Sequence, residues 1–139
     1  MTISNLTIST IKSNHAVLQD KAFEITATMH EILLGNAPEL KNLFSSNSYP
    51  AIMAHTLTAY SKHIDDINAL KPLLNRIAEK YAAADIKIEY YLLVIDALIN
   101  AMEVVLGDEI FNDELKKAWT EAYYNFAAVL ILMKRKPRS

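Results

Sequence analysis

Tyr81 falls on the apolar face of a helical run, because Leu74, Ile77, Ala78 and Tyr81 recur at spacings of three and four and so share one side of a helix. A phenol on that side needs a hydrogen-bond partner in the interior. The chain contains no cysteine, which excludes thiolate zinc sites, iron–sulfur clusters, disulfides and cysteine nucleophiles together. Metal chemistry then falls to the four histidines, to carboxylates or to tyrosine. His30 is the histidine with an inward place, since Phe23, Ala27, His30 and Leu34 also repeat at helical spacing. His15 is expected to be exposed, and His55 and His63 lack partners at a metal-ligand spacing. There is no glycine-rich phosphate loop, no serine nucleophile elbow and no His-Glu-x-x-His. The adjacent acids Asp65-Asp66 and Asp108-Glu109 fit helix capping and solvation. These residue types point away from an enzyme and toward a binding site.

The elements that must position Tyr81 and His30 are helices. Two glycines and four prolines among 139 residues rich in Ala, Leu, Ile and Lys give an all-α expectation and one domain. Fourteen basic against sixteen acidic side chains, net charge −2, offer no general pull on nucleic acid or an anionic membrane. The longest uninterrupted apolar run, Phe126 to Met133, is far shorter than the roughly 20 residues of a membrane-spanning helix. The start Met-Thr-Ile-Ser-Asn-Leu lacks the basic and long apolar segments of a secretion signal, so the expected address is the cytoplasm.

Along the chain, Thr7 is expected to cap a first helix running to about Asp20, followed by a second near Lys21 to Leu34. Gly35 is expected as a left-handed stop, and Asn36 with Pro38 starts a short helix ending at Phe44. Ser48 caps the next, in which Met53, Leu57, Tyr60 and Ile64 form one stripe. Pro72 is expected to open the helix that carries Tyr81. Lys87 to Leu106 is apolar on most sides and reads as a central core helix ended by Gly107. Asn112 caps the last helix, which carries Leu115, Trp119, Tyr123 and Phe126 to about Met133.

The run Pro38-Glu39-Leu40-Lys41-Asn42-Leu43-Phe44 resembles the stretch of bacterial haemoglobins and flavohaemoglobin globin domains that ends in the haem-packing phenylalanine. Tyr49-Pro50, Ile77-Ala78 with Lys80, Tyr91 with Val94, Val105-Leu106-Gly107-Asp108, and Ala118-Trp119 with Ala122-Tyr123 resemble the same family in order and spacing. The resemblance implies a globin fold, six to eight helices in a three-over-three arrangement. It divides the chain into an extension at 1–6, a globin domain at 7–133 and a basic tail at 134–139. It also implies a cofactor-binding set of Tyr81, Phe44, His30, Tyr49, Met53 and Tyr91. Phe44 and Tyr91 match the family. The proximal histidine falls on Tyr81, the distal tyrosine on His30, the distal glutamine on Tyr49, and the glutamate of the proximal network near Lys134.

Reversible oxygen carriage uses ferrous iron held by neutral imidazole, whereas a phenolate is a hard anionic donor that favours ferric iron. A phenol of pKa about 10 is held ionised at pH 7 at a cost of about 4 kcal/mol, which iron or a nearby cation must offset. Two readings follow. In one, Tyr81 is the metal ligand of a ferric haem used for sensing or haem handling, with His30 and Tyr49 distal. In the other, no cofactor is bound, Tyr81 is hydrogen-bonded in the core, and a filled pocket or one with an apolar ligand leaves a signalling or interaction module whose outer helices form a homodimer. Met53 also reads simply as core.

Overall fold

The computed structural model describes residues 3–38, 49–83 and 88–135; within these, the side chains of residues 49, 50, 52, 67, 80–83, 88 and 130–135 are outside the description. Among the described residues there are six α-helices: α1 Asn5–Ser13, α2 His15–Asn36, α3 Tyr49–Lys62, α4 Ile67–Ala83, α5 Ile88–Ile110 and α6 Asp113–Arg135. They pack in two layers, α1, α3 and α4 over α2, α5 and α6, the three-over-three arrangement.

The first helices differ from the expected boundaries. Ser4, not Thr7, is the N-cap of α1, its hydroxyl accepting from the Thr7 N–H at 3.3 Å. Thr7 is instead buried inside the first turn. The chain turns at Asn14 (φ −103°, ψ 7°) and not near Asp20, because the Asn14 N–H folds back to the Ile11 carbonyl at 3.1 Å and its amide donates to Thr10 O at 2.9 Å. From there α2 runs through 22 residues, carrying Gly35 as an ordinary helical residue; it ends at Asn36, and the Ala37 N–H bonds to Leu33 O. Pro72 likewise lies inside α4, not at its start, where it removes one main-chain donor from the helix.

Other expectations hold. Asn112 caps α6, its side-chain oxygen accepting from the Leu115 N–H at 2.9 Å. Gly107 breaks the helical path of α5 with φ 76° and ψ 167°. The short segment expected to end at Phe44 lies outside the described residues.

The core forms where α5 crosses α2, with α3 and α6 closing over it. Tyr91, Val94, Ile95, Leu98, Met102 and Leu106 of α5 are buried, and the small Ala97 and Ala101 sit between them, letting neighbouring helices approach. On α2 the buried line is Leu18, Ala22, Ile25, Met29 and Leu33. Phe23, expected inward, is 58% exposed, so the Phe23–His30 stripe flanks the core and does not face it. Each fully buried large side chain here contributes about 1.5–3 kcal/mol.

Glu89–Ile110, 22 residues that include an 18-residue window of mean hydropathy 1.6, is long and apolar enough by composition to cross a membrane, although charged residues interrupt it and no long unbroken apolar run marks it. Half of that window is buried inside the bundle, as expected of a core helix.

Candidate functional site

Three helices each contribute one face to an apolar cavity. From α3 come Met53, Thr56, Leu57 and Tyr60; from α5, Tyr91, Val94, Ile95 and Leu98; from α6, Tyr123, Phe126 and Ala127. Within each helix these positions follow the spacing of three and four that puts side chains on one side. The cavity measures about 70 Å³ and is open on one side.

The hydroxyls on its walls are mostly committed elsewhere. Tyr60 donates to the Ala122 carbonyl oxygen of α6 at 3.4 Å, and Tyr123 donates to the Met102 sulfur at 3.7 Å. The rings themselves form a cluster: Tyr60 meets Phe126 edge-on at 5.4 Å between centroids, and the buried Trp119 lies 5.0 Å from Tyr123 and 6.1 Å from Tyr60. Burial pushes the Tyr60 phenol well above its ordinary value, and the Glu121 charge adds to the shift. Burial raises Tyr123 strongly as well, with Tyr60 contributing, and burial raises Tyr91. These phenols stay protonated at neutral pH, so none of the three is an anionic donor there.

Of the residues singled out from the sequence, Met53 and Tyr91 meet on this cavity. His30 is half-buried on α2 and is not among the described cavity residues. Tyr49 opens α3 and Tyr81 lies on the last turn of α4, but both side chains, like all of Phe44, are outside the described residues. α4 packs against α6 and α3. Among the described residues no three His, Asp or Glu side chains gather into a metal cluster.

Val94, Ile95, Leu98, Tyr123 and Phe126 line the cavity, although the sequence marks them only as core. A cavity wall and a packed interior carry the same apolar periodicity, so no signal in the chain separates them. His15, expected exposed, is half-buried, with Nδ1 2.7 Å from the Oγ of Ser61, a fully buried side chain. The Ser61 hydroxyl also donates to Thr58 O at 2.9 Å.

The sequence model of the Globin family matches residues 27–130. An uncharacterized globin-like protein of Aquifex aeolicus is 36% identical over 136 residues, covering 96% of each chain. A flavohemoprotein of Halalkalibacterium halodurans is 33% identical over 97% of this chain but only 34% of its own length; the chain thus spans about a third of such relatives. Among solved structures, an engineered carbene transferase from Rhodothermus marinus superposes with a TM-score of 0.89 at 30% identity, covering 96% of this chain and 94% of that one. A bacterial globin from Campylobacter jejuni gives 0.84 at 23% identity over 95% and 96% of the two chains, a likeness of fold alone.

Proposed function

We propose, from the premise that the chain belongs to the globin family, that it binds ferric haem through Tyr81 for sensing or haem handling and does not carry oxygen reversibly. What supports this reading is the family membership together with the apolar lining of the cavity between α3, α5 and α6, in which no described residue is charged. Such walls suit an apolar macrocycle. A bound haem supplies a Lewis-acidic iron that a phenolate stabilises as ferric.

The donor set is narrow. Tyr60, Tyr91 and Tyr123 are held protonated by burial; Tyr81, on the last turn of α4, is the phenol that the family resemblance sets at the proximal position. Met53 and Tyr91, on the cavity wall, would pack against the group, and the family resemblance adds Phe44, His30 and Tyr49 to the residues that would hold it. The globin domain occupies 7–133, and the protein works in the cytoplasm.

Mixing the purified protein with haemin tests this directly. The expected result is a shifted Soret band with ferric character, abolished in Tyr81→Phe; an unshifted band, or one indifferent to Tyr81→Phe, refutes it.

The cavity's size favours a second reading. About 70 Å³ is half of the about 150 Å³ that accommodates benzene in an engineered protein cavity, which suits a haem-free globin serving as a signalling or interaction module and forming a homodimer. Native mass spectrometry separates the two: stoichiometric haem on the purified protein removes the haem-free reading.

A further inference from the structure

Helix α1 is short and is fastened at its two ends to different elements. At its start, Glu121 of α6 accepts from the Ser4 N–H (2.9 Å) on Oε1, and from Thr7 Oγ1 (2.5 Å) and Ser4 Oγ (3.3 Å) on Oε2. Near its end, Lys12 pairs with Asp65 at 2.7 Å, in the connection that follows α3. One residue beyond the Asn14 turn, His15 is hydrogen-bonded to Ser61 of α3. Between the anchors only Thr7 and Ile11 of α1 are buried. A pocket of about 170 Å³ lies beside these contacts, lined among others by Leu6 and Thr10 of α1 and by Lys117 and Ala118 of α6.

The anchor points adjoin the cavity wall in sequence. Glu121 precedes Ala122, whose carbonyl accepts the Tyr60 hydroxyl, and Tyr123, which lines the cavity. Ser61 follows Tyr60 itself. Helix α1 therefore ties α6 to the end of α3, the same two elements that meet through Tyr60, Ala122 and Phe126.

We propose that α1 is a releasable strap across the seam between α3 and α6, and that its release loosens that seam and widens access to the cavity. The anchors suit a local opening. Lys12 and Asp65 are 43% and 48% exposed, and exposed pairs hold weakly. A nine-residue helix with two buried side chains opens at far less cost than the whole fold. The role does not depend on haem.

Trp119 is the one tryptophan of the chain; it is 1% exposed and packs on Tyr60 and Tyr123 at the seam. Its quenching by neutral acrylamide therefore reports on opening. Two variants of the full chain release the strap by different routes: Lys12→Ala with Glu121→Ala removes anchors, and Ser9→Pro breaks α1 at an exposed position. Amide exchange in α1 verifies release, and far-ultraviolet dichroism verifies that the remaining helices persist. The expected result is faster α1 exchange together with a several-fold rise in Trp119 quenching in both variants. Faster α1 exchange with Trp119 as shielded as in the parent protein overturns the proposal. So does α1 protection unchanged by loss of the anchors. Neither outcome bears on haem binding through Tyr81, which the haemin titration decides separately.

Discussion

Tyr60 reaches from α3 to donate its hydroxyl to the main-chain oxygen of Ala122 on α6, 3.4 Å away. The bond is long for an O–H donor, so its contribution lies near the low end of the 0.5–1.5 kcal/mol range. Tyr60→Phe keeps the edge-on contact with Phe126 and loses only this bond. We expect a loss of about 0.5–1 kcal/mol at neutral pH, read from the urea midpoint with an unchanged denaturant slope.

The same phenol, with Tyr123, makes the fold sensitive to alkali. Both have folded pKa values raised above the ordinary 10.0, chiefly by burial. Their contribution is fully present below the unfolded pKa near 10 and is lost as pH rises from there toward the folded values, because the unfolded chain releases its protons first. Stability of the parent protein should fall steeply above about pH 10. In Tyr60→Phe with Tyr123→Phe the fall should be shallower, measured by urea unfolding on either side of that pH. Parallel curves for the two proteins would contradict the assignment.

Much of this architecture is written in local pattern. The stripe Met53, Leu57, Tyr60 and Ile64, the stop at Gly107 and the Asn112 cap each depend on residues a turn or so apart, and each appears in the fold as expected. What escaped depends on distant partners. Ser4 rather than Thr7 caps α1 because Glu121, 117 residues from Ser4, engages both residues; His15 is drawn inward by Ser61, 46 residues away. On α2 two neighbouring apolar stripes satisfy helical spacing equally, and contact with α5 and α3 decides that Met29 is buried while Phe23 faces out. Of the cavity lining, Met53 and Tyr91 are also residues that the family resemblance singles out; Val94, Leu98 and Phe126 are not separable from ordinary core, since nothing in an apolar residue's spacing reveals the space beside it.

Glu121 gives the fold an acid limit. Its carboxylate accepts from Thr7 and Ser4, which lowers its pKa below the ordinary 4.5. Its contribution is therefore present above the unfolded value and is lost as pH falls through the lower folded value. Glu121→Gln should weaken the protein at neutral pH, and the difference between the two proteins should shrink as the medium is acidified below about pH 4. Urea unfolding across that range checks this; a difference that stays constant with pH would show that the charge is immaterial.

The two glycines should respond to alanine with opposite signs. Gly107 holds φ 76° and ψ 167°, a region that residues with a Cβ avoid, at a cost of about 1–3 kcal/mol. An added Cβ there meets nothing within 4 Å, so the cost is one of backbone conformation and not of collision. Since the helical path of α5 breaks at this residue and the Phe111 N–H closes onto the Gly107 carbonyl at 2.8 Å, the chain cannot relax to a helical φ without moving the start of α6. Gly35 differs in the one respect that matters. It lies within α2 without a positive φ, and its added Cβ also meets nothing within 4 Å. Alanine there reduces the freedom of the unfolded chain and should stabilise by about 0.4–1 kcal/mol. Thermal unfolding of Gly107→Ala and Gly35→Ala should therefore move the midpoint down and up respectively. Because both sites are sterically open, a shared direction would mean that packing, and not backbone geometry, governs these positions.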